Sequence, residues 1–406
     1  MTKEEALENK RRVQQEAHDA VVLANGRGCL EEATGVGKTK IGLHVLETLK
    51  DTVLSLESRD MQTLIVVPTE EMRDIDWPEE FEKWSIPMDN VKIICYSSLV
   101  KEKLEKYDFI IYDEYHRTTL KNLRKLQQYL TDPKVYALAL TATLPKEVFF
   151  EEDRERIELM KELLPTVHKI TTDQAVELGL ICDFHVTVLK FFLDEVNTNI
   201  RGGTLKAPFN QSEGARYKYL TNNLKRSMIL AGSDPKKQGM KFAAMSKRAQ
   251  FLYNLPSKLR LAKKCLEQLL REDKRTVVFA GSIEQANVLC GVDVYHSEST
   301  REALDKFQKK EIPVLGAVKA LNEGKNLTEP DQGLIVQVDS VERNLVQRFG
   351  RFLRIRYENL DHKAKIVILV ALKTADEEWY NKAIKDFETS RINEYTVKIP
   401  PIEHGS

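Results

Sequence analysis

Apolar residues along the chain gather in short unbroken runs of strand length. Leu64-Ile65-Val66-Val67, Phe109-Ile110-Ile111-Tyr112, Val135 to Leu140, Thr276-Val277-Val278-Phe279, Val314 to Val318 and Ile366 to Leu372 do not alternate with polar positions. A strand with one wet face alternates; an unbroken run suits a strand covered on both faces, as in a parallel sheet. Shorter runs at Cys29-Leu30, Val91 to Tyr96 and Phe184 to Leu189 fit the same scheme. Between the runs, apolar residues recur at helical spacing. Ile41, Val45 and Leu49 form one such face, and Leu120, Leu123 and Leu130 another, with Thr118 or Thr119 as its cap. Residues 1–26, 258–271 and 376–387 also read as helices. Strands alternating with helices predict an α/β chain. The stripe Trp77, Phe81, Trp84 could stack bases, but its i, i+4, i+7 spacing favours packing in the core.

Two of the strand ends carry chemistry. After Cys29-Leu30 comes Ala33-Thr34-Gly35-Val36-Gly37-Lys38-Thr39, and then the helix of Ile41. A strand, a glycine turn and a helix make a phosphate-binding loop. The glycines let backbone N–H groups turn inward, and the helix N-terminus adds partial positive charge. The nucleotide-binding residues expected are Thr34, Gly35, Val36, Gly37, Lys38 and Thr39. Lys38 can reach the β and γ phosphates, and the Thr39 hydroxyl can ligate Mg²⁺. The long form of the pattern needs glycine at position 32, where this chain has Glu32, so only the shorter form is met. The second site follows Phe109 to Tyr112, as Asp113-Glu114-Tyr115-His116. A buried strand ending in adjacent carboxylates is costly without a cation. Mg²⁺ held by Asp113, with Glu114 activating a water, answers that cost.

Composition narrows the class. The chain has 406 residues, 42% apolar and 31% charged, which suits a globular enzyme of two or three domains. No apolar run approaches the roughly 20 residues that cross a membrane, and the charged start, Met1 to Arg12, lacks a secretion signal's apolar core. A cytoplasmic protein without a membrane partner is expected. The five cysteines (29, 95, 182, 265 and 290) lie far apart and support neither a zinc site nor a disulfide framework. Basic and acidic residues cancel at 62 each, yet residues 196–250 hold eleven basic groups against Glu213 and Asp234. Such a local excess suits either a polyanion partner or a solvated, loosely ordered insertion.

Taken in order, these motifs resemble those of superfamily 2 DExH-box helicases and translocases, over about residues 11–372. The resemblance is nearest to the branch of XPB, UvsW and type III restriction motors, in a compact bacterial or bacteriophage form. The loop at 33–39 is similar to motif I. Asp113 to His116 form the DExH box, and Thr141-Ala142-Thr143 resembles motif III. Thr69, in Pro68-Thr69, and Ser97, in Tyr96-Ser97-Ser98, fall at motifs Ia and Ib. Thr276 to Phe279 fits motif IV, and Ala320 to Leu327 fits motif V, with Asn326 where many relatives have Asp. Gln347-Arg348-Phe349-Gly350-Arg351-Phe352-Leu353-Arg354 matches motif VI.

The resemblance implies two tandem RecA-like domains, each a mainly parallel sheet flanked by helices. They would span 1–165 and 166–395, with the basic insertion at about 196–250 and a tail at 396–406. It implies ATP and Mg²⁺ as ligands, Gln14 (Gln15 next) at the adenine edge, and Lys38, Glu114 and His116 in catalysis. Arg351 and Arg354, three apart on a helix, would be arginine fingers reaching across the domain cleft, and Gln347 would meet the attacking water or His116. Thr69, Ser97 and Thr141 would touch nucleic acid, with Lys225, Arg226 and Lys241 of the insertion. The partner implied is duplex, forked or single-stranded DNA ahead of RNA, engaged by a monomer that couples hydrolysis to strand movement. A DEAH-type RNA helicase and an ATP-gated clamp are the alternatives.

Overall fold

The computed structural model describes residues 1–146, 151–203, 207–232, 234, 237–296, 298–318, 330–338, 345, 348–385, 387 and 389–401. The chain divides into two compact units, Met1–Asp183 with Leu353–His362, and Phe184–Phe352 with Lys363–Ser406.

In the first unit the elements are α1 (Lys3–Leu23), β1 (Arg27–Glu32), α2 (Lys38–Glu57), β2 (Thr63–Val67), α3 (Trp77–Lys83), β3 (Val91–Cys95), α4 (Tyr96–Leu99), β4 (Phe109–Asp113), α5 (Leu120–Tyr129), β5 (Tyr136–Thr141), α6 (Glu151–Leu163), β6 (Thr166–Ile170) and α7 (Thr172–Glu177). The six strands form one sheet in the order β3-β2-β4-β5-β1-β6, parallel throughout. The unbroken apolar runs are explained by the two cores. Ile65, Val67, Phe109, Ile111, Leu138 and Leu140 enter one, with α2 and Trp77. Their neighbours Leu64, Val66, Ile110, Tyr112, Ala137 and Ala139 enter the other, with Leu123, Leu126 and Met160. Successive residues point to opposite faces, and here both faces are dry.

The expected boundary at 165 falls one strand early. β6 pairs with β1 from Cys29↔Thr166 to Glu32↔Ile170, so the first sheet continues past it. Thr119, rather than Thr118, caps α5 through its hydroxyl.

The second unit has a seven-stranded sheet in the order β11-β12-β10-β13-β14-β7-β15, built from β7 (Asp183–Phe191), β10 (Thr276–Phe279), β11 (Val294–His296), β12 (Val314–Val318), β13 (Gln332–Ile335), β14 (Lys363–Ala371) and β15 (Ile392–Thr396). The basic insertion leaves this sheet after β7. It comprises an antiparallel ribbon, β8 (Ile200–Gly203) and β9 (Pro208–Gln211), then two helices packed on each other, α8 (Glu213–Ala231) and α9 (Gln238–Tyr253). α10 (Pro256–Leu270) returns the chain to the core, covering β13 and β14 and burying Leu266 and Leu269.

Two fully buried charges hold this return. Glu213 starts α8 and accepts from Ser257 N at 2.8 Å, Ser257 Oγ at 2.6 Å and Asp194 N at 3.1 Å. It is one of only two acids in the basic segment, and it serves as an internal anchor. Lys258 pairs with Asp376 at 2.8 Å, neither side chain being exposed at all. Among the described residues, no helix is long and apolar enough to cross a membrane.

Candidate active site

β1 ends in the glycine turn and α2 begins directly after it. Gly35 and Gly37 have φ of +100° and +108°, a left-handed backbone in which a side chain is strained. Gly37 is also crowded, because a Cβ there would lie 2.5 Å from Gln14 Nε2. That amide comes from α1 and donates to Val36 O at 3.0 Å, in a buried contact. Gln14 therefore meets the loop; Gln15 is exposed and donates to Asp19 instead. Lys38 donates to Glu32 O at 2.9 Å, which folds its ammonium over its own loop. Thr34 and Thr39 are half-buried, Gly35 is exposed and Val36 is buried. Glu32, in place of the usual glycine, is fully buried and meets His168 Nδ1 at 2.9 Å.

Positive charge collects beside this loop. Lys10 stands one helical turn before Gln14 on α1 and comes within 4.0 Å of the place a Gly37 Cβ would take. Burial, then the charges of Lys40, Lys83 and Arg354, holds its pKa below the usual lysine value, against the pull of Glu80. Such crowding of cations fits a polyphosphate.

The carboxylates sit at the end of β4, two strands from β1. Asp113 is 7% exposed. Its Oδ2 accepts from the Trp77 indole at 2.9 Å and its Oδ1 from Glu114 N at 2.9 Å. Burial and the adjoining Glu114 charge push its pKa up to about 7, while the Trp77 hydrogen bond and the Lys38 charge act the other way. A carboxylate so placed takes up a proton near neutrality unless a cation replaces it. Glu114 has φ +50° and ψ +52°, unusual for a residue with a side chain. Its buried Oε2 makes no hydrogen bond among the described residues and lies 3.4 Å from His116 Nδ1. His116 Nδ1 is also 3.2 Å from Thr141 Oγ1, which links the β4 and β5 ends.

Hard oxygen donors next to a glycine cradle are a donor set that suits Mg²⁺ with a nucleotide. Asp113 and the Thr39 hydroxyl could hold such an ion, with Lys38 placed for the phosphates.

The residues expected to touch nucleic acid differ in exposure. Thr141 is fully buried and bonded to His116 and to Thr143 O at 3.1 Å, so its hydroxyl faces the interior. Thr69 is half-buried and accepts from Met72 N at 3.2 Å, while Ser97 is exposed on α4. Lys225 and Arg226 are exposed on α8, and Lys241 is half-buried on α9.

Arg351 and Arg354 do not share a helix. The chain turns after Gly350, with Arg351 N on Arg348 O and Phe352 N on Phe349 O, because Phe352 buries against Gly333 and Phe279. Arg351 stays in the second unit. Arg354 pairs with Ile181 in the first, and the Ile181 side chain is 3.0 Å from the place of a Gly35 Cβ. Arg354 thus lies in the loop's own unit, bridged to Ile181, and its charge acts on Lys10. Gln347 and the stretch 320–327 lie outside the described residues.

Three neighbours of the site are not among the residues to which the motifs assign a role. Trp77 belongs to the core, as its spacing predicts, but a buried indole N–H needs an acceptor, and here it is Asp113. The others are Lys10 and Tyr96, whose hydroxyl donates to Asp113 O at 2.9 Å.

Known proteins resemble this chain in sequence and in fold. Residues 8–146 match the family model for the type III restriction enzyme res subunit, and residues 258–356 match the helicase conserved C-terminal domain. The DNA 3'-5' translocase XPB2 of Sulfurisphaera tokodaii is 24% identical over 378 residues, 87% of this chain and 80% of that protein. Two solved structures share the fold at 16% identity. The Pyrococcus furiosus Hef helicase domain has a TM-score of 0.50, covering 92% of this chain and 97% of that one. A putative HsdR subunit of a type I restriction enzyme from Vibrio vulnificus YJ016 has 0.58, covering 95% and 68%. The chain belongs to the superfamily 2 helicases, ATP-hydrolysing enzymes built on tandem RecA-like α/β domains. Within that superfamily it is related to XPB and the type III restriction motors.

Proposed function

We propose that this protein is a translocase or helicase of duplex or branched DNA, driven by hydrolysis of Mg²⁺-bound ATP at the loop of β1 and α2. The observation that carries the reading is the convergence of Lys38, Asp113, Glu114 and His116 at the ends of β1 and β4 in a chain similar to a DNA translocase. Gln14 and Lys10 bind the nucleotide from α1, and Thr34 to Thr39 wrap its phosphates. Asp113 and Thr39 hold Mg²⁺, which when bound draws charge off the β and γ phosphates. Glu114 orients the attacking water and takes its proton, and His116 passes the state of the site to Thr141. Arg354 supplies positive charge for the γ phosphate.

The deciding experiment is steady-state ATPase activity with no polynucleotide, single-stranded DNA, duplex DNA, forked DNA and RNA at one low salt concentration. Stimulation by duplex or forked DNA, abolished by Lys38→Ala, is the expected result. Stimulation by RNA alone would replace DNA with RNA as the substrate.

Trp77 gives a narrower check. Trp77→Phe keeps an aromatic ring in the core, at the cost of a small cavity, and removes one donor from Asp113. Removing such an outer hydrogen bond typically weakens metal binding about 10- to 100-fold. The Mg²⁺ concentration for half-maximal ATPase should rise accordingly, and an unchanged requirement would take Asp113 out of the metal site.

The insertion supplies cations for the DNA phosphates. Neutralising Lys225, Arg226 and Lys241 to Gln should flatten the salt dependence of DNA binding by about 0.9 in log–log slope for each phosphate no longer neutralised. An unaltered slope would leave the segment a solvated surface.

A further inference from the structure

We infer that Tyr96 is a positioning residue that ties the exposed surface of α4 to the backbone of Asp113, so that DNA held on that surface sets the placement of Asp113 and Glu114. The inference rests on the proposed action on DNA and names a side chain through which DNA governs hydrolysis. Tyr96 opens α4 directly after β3, the edge strand, and β4 lies two strands further in. The side chain reaches across that gap. Its hydroxyl donates to Asp113 O at 2.9 Å and accepts from Thr118 Oγ1 at 3.5 Å. Asp113 O belongs to the same planar peptide as Glu114 N, which donates to Asp113 Oδ1 at 2.9 Å. Fixing that one plane therefore fixes the Asp113 carboxylate and the left-handed entry into Glu114.

The link is packed as well as hydrogen-bonded. The Tyr96 ring centroid lies 6.4 Å from that of Tyr112, and Tyr112 lies 5.8 Å from Tyr115. Burial pushes the Tyr96 pKa well up, so the hydroxyl keeps its proton and stays a donor. The far end of α4 is tied to the same region. Lys125 Nζ of α5 donates to Leu99 O at 3.1 Å, to Val100 O at 3.2 Å and to Glu102 O. Thr119, which follows Thr118, caps that helix. Both ends of α4 are thus held to the segment that starts at Asp113.

Between these ties the element faces outward. Ser97 and Ser98 are exposed, as are Lys101 and Lys103, while Glu102 between the lysines is half-buried and pairs with Lys92 at 2.7 Å. Two hydroxyls and two ammonium groups at the surface suit the phosphates of a DNA backbone. The Thr141 hydroxyl, by contrast, turns inward to His116. Tyr96 stands next to the exposed positions in sequence and touches the carboxylate peptide in space, so it is the shorter route between them.

The test compares the full chain with Tyr96→Phe and with a control, Tyr129→Phe. The control removes a hydroxyl of the same core that donates to Tyr107 O and Tyr136 O, away from the carboxylates. Steady-state ATPase is measured at saturating ATP, without DNA and with saturating forked duplex, and DNA affinity is measured by fluorescence anisotropy. The ratio of DNA-stimulated to basal kcat should fall about fivefold or more in Tyr96→Phe, the lower end of a coupling between two sites. DNA affinity should match the wild type, and Tyr129→Phe should keep the full ratio. A full ratio in Tyr96→Phe would overturn the inference and leave the DNA reading standing. So would an equal loss in Tyr129→Phe, which would assign the effect to core packing. No stimulation of the wild type by any DNA would overturn the inference and the DNA reading together.

Discussion

Glu114→Gln is expected to lower ATP turnover about 10²- to 10⁴-fold, the usual contribution of a positioned general base, with ATP affinity close to wild type. Glutamine matches glutamate in shape, so it can keep the left-handed backbone at 114 and the bond from its N–H to Asp113 Oδ1. What it lacks is basicity. The orphaned Oε2 beside His116 is the acceptor that would take a proton from water. The same change removes one of the charges that raise the Asp113 pKa, so Asp113 is held ionised more readily, which offsets the loss of a nearby negative charge in binding Mg²⁺ with ATP. Turnover measured beside fluorescent-nucleotide binding separates the two roles. Wild-type turnover in the variant would remove Glu114 from the chemistry, and loss of binding would make it structural.

Lys258→Ala should destabilise the second unit by about 3–5 kcal/mol, the cost of leaving a buried charge without its partner. Asp376 would keep only the Ala371 N–H on its Oδ2, at 2.9 Å. Its Oδ1 already has no hydrogen bond among the described residues. Burial raises the Asp376 pKa, and the lysine opposes that. At roughly 2–4 °C per kcal/mol for a unit of this size, the thermal transition should fall by about 10 °C. The double variant Lys258→Met/Asp376→Leu should melt well above the single one, because two apolar chains leave no charge to desolvate. Equal melting of the single and double variants would show that reduced packing, not the stranded carboxylate, sets the cost.

Much of the site was legible because its chemistry is local. Glycines at 35 and 37, a lysine at 38 and carboxylates at 113 and 114 act through their own backbone turns, whose residue types the chain spells out. The doubly covered strands were legible for a similar reason, since an unbroken apolar run states that both faces are dry. Gln14 and Gln15 could not be told apart by type, and only the seating of α1 turned Gln14 toward Val36.

Pairings between distant segments lie beyond any local pattern. Nothing near Trp77 announces Asp113, 36 residues on, as its acceptor. Thr141 carries the hydroxyl its motif expects, but β5 is a central strand and turns that hydroxyl inward to His116. Glu213 reads as a stray acid in a basic segment until the return of α10 makes it an anchor. Arg351 and Arg354 are three apart in sequence, and the burial of Phe352 sends them into different units. The sequence by itself determined where the glycine turn and the paired carboxylates lie, because those depend on residue type and spacing. The tertiary structure alone decided which side chains serve them, because burial and hydrogen-bond partners are set by where remote strands and helices meet.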